Sequence, residues 1–544
     1  MKKVLAIILL GVILSACLPA PTVFPTSTQP PTVLIPATQP APTPPLPWWR
    51  KAVFYEIFVR SFNDSNGDGI GDFNGITAKL DYLQNLGVTA LWLMPIHPSP
   101  SYHGYDVINY FGVNPDYGSL EDFKRLLVEA HQRGMRVIID LVLNHTSNQD
   151  PIFIDANTSL QSAYRNWFLW SDTNPGTSGS NGPSWHTGKF GYYYAVFGDN
   201  MPDLNYTNPD VTAFMEKVVR FWLTSVGVDG FRLDAVKYLI EEGQKLENTR
   251  STHLWLQGFN SAYKADKPDT FTVGEVFGAD AILMKTYAPD QLDEVFNFEL
   301  ASGMVNSAAG EANSGVNSAL TFMLQNIPNG QFATFLTNHD QNRLMSVLNG
   351  NGNRAKVAAA MLFTAPGTPF IYYGEEIGMQ GKKPDENIRL PMQWSAQANA
   401  GFSTGTPWRA PAADYPKVNV ISEENNPDSM LNFYRELISL RSQHSVLQDG
   451  SLSLVTSENP GVYAILRSNE SEKILVLMNL TKSAINQFNL SLNNLDVQDG
   501  QYQPGSLLGS GVFAILNVSN HGFSNYKPID QLPPYSIYIF PLKP

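Results

Sequence analysis

From Trp48 onward the chain alternates short runs of β-branched and apolar residues with longer stretches whose apolar positions recur at helical spacing. Parallel strands joined by crossover helices leave this alternation, and sustained along most of a chain it predicts a β/α barrel. Eight strand candidates can be read, at 53–59, 89–94, 137–141, 230–233, 272–275, 294–298, 334–337 and 369–372. Between the third and fourth, the segment 145–208 is rich in Gly, Ser, Asn and aromatics, and it is too long for an ordinary barrel loop. It reads as an inserted subdomain. After a helical pattern at 430–445 the period changes to short alternating strands such as 463–467, 473–478 and 535–540, the mark of an antiparallel β domain. The expected architecture is of the α/β class: a (β/α)8 TIM barrel in two parts, 48–144 and 209–448, with an inserted subdomain at 145–208. An antiparallel β-sandwich domain would follow at 449–544.

The N-terminal segment departs from this pattern. Lys2 and Lys3 precede an apolar run at 4–14 and the sequence Leu14-Ser15-Ala16-Cys17, the layout of an export signal. The apolar run is too short to span a bilayer. Cys17 is the sole cysteine, and its place after Leu-Ser-Ala resembles the bacterial lipobox, whose cysteine is acylated after cleavage. Residues 1–17 are thus expected to be a lipoprotein signal peptide, with acylated Cys17 tying an extracellular, cell-surface protein to a lipid membrane. Residues 18–47, dominated by Pro and Thr, cannot build a core and would form a stalk. Without a second cysteine there is no intramolecular disulfide, so stability must come from the core and from bound ions.

Composition narrows the partners. With 43% hydrophobic and 16% charged residues the chain is not disordered, and a net charge of -13 disfavours nucleic acid and acidic lipid surfaces. A neutral substrate fits better, and the chain is expected to act as a monomer. In a β/α barrel the reactive side chains stand at the C-terminal ends of the strands. Those ends carry Asp140-Leu141-Val142-Leu143-Asn144-His145, Gly230-Phe231-Arg232-Leu233-Asp234, Gly274-Glu275-Val276 and Thr337-Asn338-His339-Asp340. Arg232 lies two residues before Asp234 on one strand, so both project to the same side and the cation can favour the charged carboxylate.

These segments, with Tyr102-His103-Gly104-Tyr105-Asp106 upstream and Met201-Pro202-Asp203-Leu204-Asn205 in the insertion, resemble the conserved regions of the α-amylase family, glycoside hydrolase family 13. Glycoside hydrolysis needs one protonated and one ionised carboxyl group flanking the bond. The resemblance implies Asp234 as nucleophile, Glu275 as general acid/base and Asp340 as the third carboxylate, which holds sugar hydroxyls. It further implies that His145 and His339 bond the same sugar, that Tyr105 stacks beneath it and that Lys237 contacts the leaving-group side. Arg343 and Arg389 match positions near the pocket rim. One or two of the insertion's aromatics, among Trp167, Trp170, Trp185, Tyr192, Tyr193 and Tyr194, are expected to line the cleft.

Asp64, Asn66, Asp68 and Asp72 place oxygen-bearing side chains at alternate positions of a glycine-containing loop, and the Ile70 carbonyl would fill the remaining one. The spacing suits Ca²⁺ and resembles the calcium loop of several family members. A second family calcium site, at the asparagine matching Asn144, stays unassigned because Tyr238 follows Lys237 where many α-amylases have His. Ala235 after the nucleophile resembles α-1,4-cleaving members, and Tyr102-His103-Gly104-Tyr105 resembles endo-acting ones, so starch or maltooligosaccharide is the expected substrate. An exo-acting α-glucosidase or a transglycosylase is the nearest alternative, and a catalytically inactive carbohydrate-binding surface protein is the alternative from another class.

Overall fold

The computed structural model describes residues 46–544 except 181, 329 and 494–496. The export segment, Cys17 and nearly all of the Pro/Thr stretch lie outside the described residues. Among the described residues no helix is long and apolar enough to cross a membrane.

Eight parallel strands form the central sheet: β1 (Phe54–Ile57), β2 (Ala90–Leu93), β3 (Arg136–Val142), β4 (Gly230–Asp234), β5 (Phe271–Gly274), β6 (Glu294–Val295), β7 (Ala333–Thr334) and β8 (Thr368–Tyr372). Their order is β6-β5-β4-β3-β2-β1-β8-β7, and a parallel bridge between Phe296 and Ala333 joins the two edges, so the sheet curls into a barrel. Each strand overlaps a run expected from the sequence. Four are shorter than expected, β1 and β2 slightly and two more markedly: β6 stops where the Asn297 side chain caps the helix Phe298–Gly310, and β7 ends at Thr334.

The crossover helices form for local reasons. Helix α1 (Leu120–Gln132) starts at a capping box between Ser119 and Asp122 and buries Phe123, Leu126, Leu127 and Ala130, one helical stripe. Helix α2 (Pro209–Arg220) has Asn208 as cap and Pro209 in its first turn, and buries Val211, Met215, Val218 and Val219. Between β3 and α2 the inserted segment folds into a three-stranded antiparallel sheet of Trp170–Ser171, Tyr192–Tyr194 and Trp185–Thr187, with a short hairpin of Ser178–Gly179 and Gly182–Pro183. The His145–Asp203 bridge ties this segment back to the end of β3.

The C-terminal part is antiparallel throughout. A six-stranded sheet containing Val462–Ser468, Lys473–Asn479 and Ile537–Lys543 faces a three-stranded sheet of Thr456–Ser457, Leu490–Leu492 and Phe523–Tyr526. Leu475, Leu477 and Phe540 from the first sheet and Leu490 and Phe523 from the second share one apolar layer, which makes the pair a sandwich.

Inside the barrel, register decides which side chains meet. Glu56 on β1 lies beside Trp92 on β2 and Tyr372 on β8, and Asp140 on β3 lies beside Arg232 on β4. One turn lower, Phe54 lies beside Phe370 with the rings stacked at 4.3 Å, and Phe271 packs against Phe54 at 5.2 Å. Trp48 and Trp49, in the first described turn, cover this aromatic layer from below.

Candidate active site

The C-terminal ends of β4 and β5 and the loops after β2, β3 and β7 open into one cavity of about 700 Å³. Tyr105, His145, Asp234, Lys237, Glu275 and Asp340 line it, with Asp385 and Arg389 from the loop after β8. Arg232, 1% exposed, lies directly beneath. Its Nη1 donates to Asp140 Oδ1 at 2.8 Å and to Asp234 Oδ1 at 2.5 Å, and its Nη2 donates to Glu275 Oε2 at 2.6 Å. One guanidinium therefore holds an oxygen from each of two carboxyl groups that face the cavity, Asp234 and Glu275.

Strand geometry explains the convergence. Arg232 and Asp234 are two apart on β4 and point inward together, Asp140 is the register neighbour of Arg232, and the Glu275 N–H extends the ladder by donating to the Leu233 carbonyl. Past Asp234 the chain turns sharply. Ala235 sits at φ 47°, ψ 35°, a left-handed conformation that costs an alanine about 1 kcal/mol, and it starts the tight turn that brings Lys237 and Tyr238 to the wall.

The carboxyl groups differ in electrostatic setting. Burial pushes Glu275 up to about 7, with Asp234 and Asp340 adding to the rise and Arg232 opposing it. Burial raises Asp234 as well, against the pull of Arg232, so the cation tempers rather than reverses the effect of desolvation. Confinement in the cleft also works against charge on Asp340. There His339, Arg389 and Arg232 outweigh it and hold the carboxyl well below the usual carboxylate range. Asp340 Oδ1 accepts from Arg389 Nη2 at 3.0 Å, and its Oδ2 lies 3.0 Å from His339 Nε2.

Tyr105 stacks on the His339 ring, with centroids 5.7 Å apart at 18°, and its hydroxyl lies 2.7 Å from His339 Nε2. His145 is buried, with Nδ1 at 3.1 Å from Asn144 Oδ1, and burial pulls it down to about 4, a neutral ring. Lys237 pairs with Glu247 at 2.7 Å and donates to the Phe277 carbonyl at 3.0 Å.

Two expectations are corrected. Arg343 is not at the pocket rim: it is 1% exposed, its Nε and Nη1 donate to the carbonyls of Ile388 and Tyr373, and it braces the loop after β8. None of the six aromatics expected from the insertion lines the cavity. Trp170 lies under Arg165 at 3.4 Å and Tyr193 packs on Phe153 at 5.0 Å, so these two rings serve packing within the apolar core. The cleft instead receives Phe197, Met201 and Ser180 from that segment, and Phe277 from the loop after β5. Asp140 and Glu56, which lie outside the cavity lining but contact Arg232 and His339, were not singled out individually from the sequence. An acid in the middle of an apolar strand run, as in Phe54-Tyr55-Glu56-Ile57, is the signal that could have marked Glu56.

The family model described as "Alpha amylase, catalytic domain" matches residues 56–450. The chain belongs to the α-amylase family of glycoside hydrolases. It is 40% identical to Alpha-amylase 3 of Dictyoglomus thermophilum over 84% of this chain and 89% of that one. It is 35% identical to an oligo-1,6-glucosidase of Heyndrickxia coagulans over 84% and 96%. Among solved structures, an α-amylase from H. orenii superposes with a TM-score of 0.79 at 37% identity, covering 90% of this chain and 99% of that one. A trehalose-6-phosphate hydrolase from Bacillus licheniformis superposes with a TM-score of 0.78 at 28% identity, covering 92% and 100%. This α-amylase-family chain is thus a glycoside hydrolase acting on carbohydrate, and relatives of differing glycosidic specificity share its barrel.

The Asp64–Asp72 loop is closed by its own bonds. Asp64 accepts from the N–H groups of Asn66, Gly67 and Gly69 and from Ser403 Oγ, which uses all its lone pairs. Asp72 accepts from Ser65 N–H and Oγ, and from Gly75 N–H as the cap of a short helix. Asp68 accepts from Ile70 N–H and Asn66 Nδ2 and keeps further acceptor capacity. Among the described residues no group of three or more His, Cys, Asp or Glu side chains gathers closely enough to hold a metal ion. At the position left unassigned, Asn144 Nδ2 donates directly to Asp203 Oδ2 at 3.0 Å and to the Tyr238 carbonyl at 2.8 Å.

Proposed function

We propose that this chain is an endo-acting α-amylase that cleaves α-1,4-glucosidic bonds of starch and maltooligosaccharides with retention of configuration. The observation that carries the reading is the single buried Arg232 guanidinium bonded to both Asp234 and Glu275 beneath the cavity. Two carboxyl groups held on one fork are close neighbours, as retaining hydrolases require. Glu275, pushed up to about 7, carries the proton that the glycosidic oxygen takes as its bond to C1 breaks. Asp234 forms the new bond to C1, giving a glycosyl ester. Glu275, now ionised, removes a proton from water, whose oxygen attacks C1 and releases Asp234. Asp340, fixed by Arg389 and His339, would hold sugar hydroxyls, with Tyr105 as the stacking face, His145 and His339 as hydrogen-bond partners and Lys237 on the leaving-group side.

Reducing-sugar release from soluble starch should fall at least ~10²-fold in Glu275→Gln. Equal release by variant and wild type overturns the assignment. Maltoheptaose digestion should give mixed internal products. Glucose released alone from the chain end replaces the endo reading with an exo-glucosidase, and longer products than the substrate indicate transfer.

The proposal includes an extracellular, cell-surface monomer tethered through acylated Cys17, tested by fatty-acid labelling that Cys17→Ser should abolish. It also includes Ca²⁺ at Asp64, Asn66, Asp68, Ile70 and Asp72. The alternate oxygen spacing and the acceptor capacity left on Asp68 support that ion, whereas the saturation of Asp64 means binding must rearrange the loop. Melting with and without a chelator, in wild type and Asp68→Asn, tests it: no calcium-dependent shift in wild type removes the ion from the reading.

A further inference from the structure

We propose that Glu56 is a positioning residue for hydrolysis, holding His339 from the middle of β1 as a doubly protonated imidazolium. The ring then presents N–H, not a lone pair, to Asp340 and the bound sugar. This inference rests on the proposed hydrolytic reading and adds a residue to it.

The geometry places a carboxylate at each ring nitrogen. His339 Nδ1 lies 2.5 Å from Glu56 Oε1, and Nε2 lies 3.0 Å from Asp340 Oδ2. A neutral imidazole carries one N–H: on Nε2 it leaves a lone pair facing buried Glu56, and on Nδ1 it leaves one facing both Asp340 Oδ2 and the Tyr105 hydroxyl, which lies 2.7 Å from Nε2 and can donate to it. Glu56 and His339 are 2% and 0% exposed, so water cannot relieve a clash on the Nδ1 side, whereas the Asp340 side chain is 43% exposed. Protonation on both nitrogens satisfies both anions. The anions near the ring favour this charge: Glu56 on β1, and Asp140, Glu275 and Asp340 from β3, β5 and the β7 loop; Arg232 on β4, whose Nη1 lies 3.4 Å from the Tyr105 hydroxyl, opposes it. Arg389 is the cation that touches this residue, and its Nε donates to the backbone carbonyl rather than to the ring. Burial alone would lower the basicity of His339, but Asp340 and Glu56 outweigh it and push it up to about 10.

The arrangement has a consequence for Asp340. With Arg389 on Oδ1 and imidazolium on Oδ2, this carboxylate is fixed as an acceptor across the range in which Glu275 must keep its proton. If Glu56 became a neutral amide of the same shape, His339 would lose one of its two anions and shed a proton as pH rises. Asp340 would then face a lone pair or lose its orientation.

The test is the pH profile of maltooligosaccharide hydrolysis for wild type, Glu56→Gln and Glu56→Asp, with KM and kcat separated. Glu56→Gln should keep most wild-type kcat near about pH 5 and lose about tenfold more than wild type by about pH 8, because its alkaline limb moves down and steepens. Glu56→Asp keeps the charge and should keep the wild-type profile at reduced kcat. A Glu56→Gln profile parallel to wild type at every pH overturns the proposal, since a merely structural role scales activity uniformly.

If Glu56→Gln does not fold, the wild-type protein still decides. The histidine imidazole resonance that disappears in His339→Gln should not titrate between about pH 5 and 8, and titration there overturns the proposal. That measurement is independent of turnover: a wild-type chain inactive on every α-glucan refutes the hydrolytic reading while the resonance still reports on Glu56.

Discussion

At the lower end of the barrel interior, Phe54 stacks on Phe370, Phe271 fills the space beside them and Trp49 stacks on Phe271 at 5.3 Å. Higher in the barrel, the inward positions next to the cavity hold Glu56 on β1, two residues beyond Phe54, with Asp140 on β3 and Arg232 and Asp234 on β4. The backbone is the same in both layers, and so is the inward direction. Below, packing area and ring geometry fill the cylinder, a source of stability that asks nothing of protonation. Above, acids are taken out of water and held by Arg232, His339 and Arg389, an arrangement whose desolvation cost rivals its Coulomb gain. The lower layer supplies the stability that lets the upper layer hold its charges in fixed positions.

The comparison breaks most sharply at Arg232. Arg232→Leu leaves Asp140 and Asp234 buried without their cation, and an unpaired buried charge typically costs about 3–5 kcal/mol. Both readouts should move together: a lower denaturation midpoint and a loss of kcat of at least ~10²-fold. A variant that keeps wild-type stability would show that the upper layer is not held by this guanidinium. The complementary variant is Phe370→Ala, which removes a 2% exposed ring from the lower layer and should cost about 3–5 kcal/mol of stability. Its kcat and KM, measured well below its melting temperature, should stay near wild type, and a large fall in kcat would mean that the layers are not separable.

How far the sequence could be read follows the same division. The strands were legible because a β-branched run between helical stripes has a period, and eight such runs recur. Asp234, Glu275 and Asp340 were legible as a set because each ends a strand or lies in the loop after one, so the fold itself brings them together. Arg343 was misplaced because its partners are backbone carbonyls of Tyr373 and Ile388, and carbonyls carry no sequence signal. The insertion's aromatics were misread because ring type is the same for a core residue and a sugar platform, and only packing, such as Phe153 against Phe168 and Tyr193, separates them. Glu56 was passed over because a single acid inside a strand reads as an irregularity until its register neighbours are known.

Proton chemistry sharpens the contrast next. Glu275 is raised to about 7, so the proton that the proposed mechanism draws on is fully present on the acid side and is lost as pH rises through that value. Activity should therefore fall on the alkaline side with a limb near 7, by about tenfold per unit beyond it if Glu275 alone governs the limb. The sign for stability is the same. A carboxyl raised in the fold favours folding below its unfolded value of about 4.3, and that contribution fades as pH climbs through about 7. Phe370→Ala should leave the limb where it is. A limb that moves with that variant would couple the two layers through protonation.

The smallest expected effect lies at the bottom of the aromatic layer. Trp49 is only partly buried: one face meets Phe271 at 5.3 Å and Lys264 Nζ lies 5.0 Å from its ring. A ring pair of this kind contributes about 0.5–1.5 kcal/mol beyond area, and an exposed cation over a ring about 0.5–1 kcal/mol. Trp49→Leu retains much of the apolar contact, so it should cost about 1 kcal/mol, well under Phe370→Ala, and leave kcat, KM and the alkaline limb unchanged. Lys264 also binds the Asp293 carboxylate, so its charge stays compensated when the ring is gone. A cost as large as that of Phe370→Ala would mean that this first turn is an integral stave of the barrel core, and the aromatic layer would then extend one level below Phe54.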